Sequence, residues 1–172
     1  MRRGWVGLLL MAFAGGVAAE AATLERGEKE LTFKFSWTRF DPGVSGEDKV
    51  QNVNLEGTFG YLFTGAQEIG GLVTYSHRSD GSTATDKGLG VFYHYNFTVG
   101  EVLSPYLGAR VTMLGRQDSA YKAAYGALAG LKVFPWAHGG FNVELAYDEY
   151  ERDKAEKNAQ QLGLFAGVLL KW

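Results

Sequence analysis

Eight stretches of roughly ten residues, each alternating apolar with polar or small side chains, predict an all-β chain: an eight-stranded antiparallel up-and-down transmembrane β-barrel. Two further patterns support closure within a membrane. The connections alternate between polar, variable stretches and mostly tighter ones, as expected when the two rims face different compartments. Glycines gather on the polar face of the strands. A narrow lumen is crowded and gains from them, whereas a water-exposed strand face is only weakened.

The first strand is expected from Glu30 to Phe40, with Leu31, Phe33, Phe35 and Trp37 opposite Thr32, Lys34, Ser36 and Thr38. Asp41-Pro42-Gly43 ends it, and a polar loop runs to Lys49. The second, Val50 to Phe63, sets Val53, Leu55, Phe59, Tyr61 and Phe63 against Asn52, Asn54, Glu56 and Thr58, and Thr64 to Gln67 turns the chain tightly. The third runs from Glu68 to Arg78, with Ile69, Val73 and Tyr75 on the apolar side, before a polar loop from Ser79 to Asp86. The fourth, Lys87 to Phe97, alternates Leu89, Val91, Tyr93 and Tyr95 with Gly88, Gly90, Phe92 and His94.

The connection from Thr98 to Ser104 leads into a fifth strand from Pro105 to Leu114, and Gly115 to Ser119 forms a further polar loop. The sixth, Tyr121 to Phe134, is alanine-rich, but its period of two and its glycines outweigh the helical propensity. Pro135 to Gly139 is expected to turn the chain into a seventh strand from Gly140 to Tyr150. Glu151 to Ala159 is a charged loop with room for a turn of helix, and the eighth strand fills the C-terminus. There Leu162, Leu164, Ala166, Val168, Leu170 and Trp172 form one apolar row.

Arg2 and Arg3, an apolar run from Trp5 to Phe13 and small residues up to Ala22 match a secretory signal peptide. Cleavage after Ala19 or Ala21 fits the small residues there. Ala21 is preferred, giving a signal peptide over 1–21 and a barrel domain over 22–172. No cysteine is present, which excludes disulfides, thiolate metal sites and a lipidated cysteine. Export removes two of 17 basic residues and leaves 15 against 18 or 19 acidic ones, so nucleic acid is not an expected partner.

A soluble periplasmic barrel or sandwich alternates too, but with its apolar face inward. Gly60, Gly70, Gly88, Gly90, Gly108, Gly126, Gly130, Gly163 and Gly167 all share the polar or mixed face, which favours the membrane barrel. Aromatics near the strand ends supply two girdles for the lipid–water interfaces: Trp37, Tyr75 and Tyr147 at the loop rim, and Phe63, Phe97 and Trp172 at the turn rim. The polar face then places Lys34, Glu56, Arg78, Arg110, Lys132, Glu144, Asp148 and Lys171 in the lumen as a charge network, because isolated charges there would be costly. Phe92, Leu128, Phe165 and Leu169 share that face and are expected to plug it.

The signal peptide, the eight alternating segments and the terminal Leu164-Phe165-Ala166-Gly167-Val168-Leu169-Leu170-Lys171-Trp172 resemble the small outer-membrane β-barrel families that include OmpA transmembrane domains, OmpX and OmpW. A terminal Trp departs from the more usual Phe. The resemblance implies a porin-like monomer in the outer membrane of a Gram-negative-type cell, among outer-membrane lipid and lipopolysaccharide. It also implies that the C-terminal strand is read by the barrel assembly machinery.

A structural or surface-interaction role with a filled interior is expected, without enzymatic activity, cofactor or metal. The alternatives are a narrow channel for ions or small solutes and a lipid A-modifying hydrolase. The last rests on His77-Arg78-Ser79, which resembles the His-x-Ser pair of lipid A deacylase barrels. In that family the pair lies near the C-terminus, and no acidic partner is assignable here. His94 is expected in the lumen and His138 in a turn, so the histidines suggest no metal cluster. The polar loops Asp41–Lys49, Ser79–Asp86 and Glu151–Asn158 are candidate contacts for surface partners or divalent cations.

Overall fold

In the computed structural model, eight antiparallel strands close on themselves: β1 (Lys29–Asp41), β2 (Val50–Leu62), β3 (Gln67–Ser79), β4 (Thr83–Asn96), β5 (Leu103–Leu114), β6 (Tyr121–Trp136), β7 (Gly139–Arg152) and β8 (Ala159–Lys171). The structure describes residues 24–41, 50–79, 83–97, 99, 102–115, 121–152 and 158–172. The proposed signal peptide and the centres of the polar loops lie outside these residues.

Each strand pairs with its neighbour in sequence, and β1 also pairs with β8, from Glu30 opposite Lys171 to Asp41 opposite Gln160. Closure leaves no strand edge unpaired, the condition a sheet must meet to cross a hydrocarbon layer. A 13-residue strand, at about 3.3 Å per residue and a tilt of about 40°, spans roughly 33 Å, enough to cross the bilayer core.

The distribution of side chains identifies the solvent. Phe33, Leu89, Val91, Met113, Leu145 and Leu164 are exposed on the outside, Met113 at 73% and Leu89 at 68%. Lys132 and Glu144, by contrast, are fully buried inside. A soluble barrel has the reverse arrangement. An apolar band around the whole wall, over a charged interior, is the surface of a protein dissolved in lipid.

The luminal glycines have a steric cause. A Cβ at Gly70 would lie 2.2 Å from the Phe59 carbonyl oxygen, and one at Gly130 would lie 2.3 Å from Cζ of Tyr106. In so narrow a ring, inward side chains and neighbouring backbones compete for the same space.

Two expected connections need correction. The polar segment Ser79–Asp86 is not a long loop, because β3 and β4 stay paired out to Ser79 opposite Thr83. Beyond the apolar band the ladder can continue with polar side chains, and Thr83 and Thr85 are good strand formers. Pro135 and Trp136 likewise belong to β6, leaving Ala137 and His138 as the turn. A register shift between Val133 and Trp136 accommodates a proline that cannot donate to the ladder. Smaller differences also occur: Phe63 and Phe97 fall just past the ends of β2 and β4, and β5 starts at Leu103.

Candidate functional site

The lumen is the candidate site, since alternation along every strand sends the polar set inward. Its charges form two tiers. Near the turn rim, the ammonium of Lys132 on β6 lies 2.9 Å from Glu30 Oε2 on β1 and 2.7 Å from Glu68 Oε2 on β3. His94 Nδ1 on β4 is 3.1 Å from the same Glu68 oxygen, so four strands meet at one cluster.

The second tier sits toward the loop rim. Lys34 on β1 holds Glu56 Oε1 and Glu144 Oε2, each at 2.8 Å. Arg110 on β5 donates through Nη1 to Glu56 Oε2 at 2.7 Å, and through Nε to Asp148 Oδ1 at 2.8 Å. Its Nη2 bonds the second Asp148 oxygen, giving the paired geometry that only a guanidinium offers a carboxylate. The Phe165 ring packs beneath both cations, 5.1 Å from the Arg110 guanidinium carbon and 5.9 Å from the Lys34 nitrogen.

Tyr106 joins the tiers. Its hydroxyl donates to Glu144 Oε2 at 2.6 Å and accepts from Asn142 Nδ2 at 3.0 Å, while Lys132 lies 5.5 Å from the centre of its ring. Tyr106→Phe removes a charge-assisted donor from a carboxylate with no access to bulk water. A loss of about 1–3 kcal/mol is expected, measured by urea unfolding in lipid vesicles.

Below the first tier, the segment before β1 closes the turn rim. Leu24 packs with Leu62, Phe134 and Leu169. Gly27, at a φ of +94°, donates its N–H to the Leu62 carbonyl at 2.7 Å. Lys171 reaches Glu28 Oε1 at 2.8 Å across the same opening. A glycine is required at position 27 because a side chain would be strained at that φ.

Toward the loop rim a cavity of about 50 Å³ remains, lined by Asn52, Asn54, Thr74, Arg110, Asp148 and Gln161 among others. It has space for only a few water molecules. Among the described residues, cations and carboxylates meet in both tiers of the interior.

Of the charges expected in the lumen, Lys34, Glu56, Arg110, Lys132, Glu144, Asp148 and Lys171 are buried there. Arg78 occupies the matching position of β3, opposite Asn52 and Ala84, but its side chain lies outside the described residues. Glu30, Glu68 and Tyr106 belong to the network and were not singled out. Their inward parity was legible, since each falls in step with luminal neighbours on its strand. Phe63, Tyr75, Phe97, Tyr147 and Trp172 are exposed on the wall. Trp37 holds the corresponding place in β1, opposite Val53, with its side chain outside the described residues. Phe92, Leu128, Phe165 and Leu169 are buried inside, as is His94. Exposed His138 sits in the turn after β6. Among the described residues, no group of three metal-ligating side chains comes together.

No protein-family model matches the chain, and no curated protein sequence is similar to it. Solved structures are. Neisserial surface protein A is 18% identical, with a TM-score of 0.67 over 86% of this chain and 100% of its own. A de novo designed transmembrane β-barrel is 14% identical, with a TM-score of 0.59 over 86% of this chain and 98% of the design. Ail, the attachment invasion locus protein of Yersinia pestis, is 16% identical, with a TM-score of 0.52 over 86% of this chain and 99% of its own. A fold shared with a designed protein specifies no activity by itself. The chain is an eight-stranded transmembrane β-barrel of the kind found in bacterial outer membranes.

Proposed function

We propose that the chain is a monomeric outer-membrane barrel with a structural or surface-interaction role, acting through its wall and rims and not through its lumen. The observation that carries this reading is the filled interior, where two tiers of ion pairs and an apolar stopper accompany a cavity of only about 50 Å³ toward the loop rim. The names of two proteins with this fold, a Neisserial surface protein and an attachment and invasion protein, are compatible with a role at the cell surface. Outer-membrane lipid and lipopolysaccharide are its surroundings, and β8 is the segment offered to the assembly machinery.

Planar-bilayer recording tests the reading. Purified protein is expected to stay silent over many independent insertions; steady unitary steps would establish the narrow-channel alternative. The hydrolase alternative has less support. His77 is exposed on the lipid-facing side, opposite Val53 and Thr85, neither of which is acidic. Lipid A is expected to keep its mass after overexpression, with or without His77→Ala.

A further inference from the structure

The wall is not uniformly convex. A concavity of about 860 Å³ opens on its outside across β1 to β5, within the roughly 300–1,000 Å³ typical of ligand sites. Its floor is a cross-strand row on four consecutive strands: Gly57 opposite Val73, Val73 opposite Leu89, and Leu89 opposite Met113. One step toward the loop rim, Tyr75 lies opposite Lys87. Gly57 leaves one corner of this row without a side chain, beside Phe33 and Val73, while Leu89 and Met113 are its most exposed members.

The chemistry along the cleft changes with depth. The floor is wholly apolar, whereas Lys87 is an exposed cation beside an interfacial tyrosine. Among the described residues Lys87 takes no ion pair, in contrast to the paired cations of the lumen. An ammonium at the lipid–water interface, about 7 Å along the strand from an apolar slot, complements an anionic headgroup joined to acyl chains.

We propose that this cleft binds a phosphorylated, acylated lipid of the outer leaflet, with phosphate on Lys87 and an acyl chain laid over Gly57, Val73 and Leu89. The proposal rests on the outer-membrane reading and narrows its lipid partner to one face of the barrel. The test uses the full mature chain in phosphatidylcholine nanodiscs, with bisphosphorylated hexa-acyl lipid A as the probe and retention read by native mass spectrometry. Wild type is expected to keep the probe at least five-fold better than Lys87→Gln, and better than Gly57→Leu, which fills the floor from the lipid side. Dephosphorylated lipid A is expected to lose the same advantage. Equal retention by wild type and both variants, or by both forms of the probe, would overturn the site. Gel mobility before and after boiling reports barrel formation separately, so a failed membrane barrel is distinguished from an empty cleft.

Discussion

Replacing Arg110 with methionine is expected to destabilise the barrel by about 3–5 kcal/mol, the cost of stripping a buried carboxylate of its partner. Arg110 bonds both oxygens of Asp148 and one of Glu56. Glu56 keeps Lys34 when the guanidinium is gone, but among the described residues Asp148 is left without a cation within bonding reach. The barrel therefore retains a buried anion beside a cavity of a few waters. A second substitution, Asp148→Asn, removes that anion and is expected to restore about half of the loss. Urea unfolding in lipid vesicles, followed by tryptophan fluorescence, measures both variants. If Arg110→Met unfolds at the wild-type midpoint, the network contributes nothing to stability.

Gly167→Val is expected to abolish the compact, heat-modifiable form. Its Cβ would fall 2.1 Å from the Phe33 carbonyl oxygen and 2.9 Å from Lys34 Cα, on the strand that closes the ring. Backbone in a continuous ladder cannot step aside as a side chain can, so the penalty is expected to exceed the usual 1–3 kcal/mol or so of overpacking. Gly71→Ala provides the contrast. It faces lipid, its nearest neighbour would be the Gly90 carbonyl oxygen at 3.8 Å, and a change within about 0.5 kcal/mol is expected. Unboiled gels and urea midpoints compare the two. Equal tolerance would mean that luminal crowding does not select glycine.

Which side of the wall each residue faces was legible because a strand's period of two survives any tilt or register. The seven described charges of the expected network all face inward for that reason. Their pairing was not legible. Lys34 meets Glu144 from 110 positions away because the ring closes with a particular stagger, which no local pattern encodes. Glu30 and Glu68 stand at strand ends, where a carboxylate reads equally well as the start of a turn, and Tyr106 resembles one more interfacial aromatic until its hydroxyl is seen beneath Glu144. The boundary at Thr83 failed for a related cause. Polarity marks where lipid stops, and the hydrogen-bonded ladder need not stop there.

The stopper at the turn rim also depends on closure of the ring. Gly27 bonds Leu62 on β2, Lys29 exchanges backbone bonds with Trp172, and Glu28 holds Lys171 on β8. The strap thus fastens to both sides of the seam between the first strand and the last, and Leu24 has a seat only where Leu62 and Leu169 already converge. The cover over the turn-rim end of the lumen thus requires the pairing of the first strand with the last. The segment ahead of β1 therefore has its seat only in the closed ring, although it precedes every strand in the sequence.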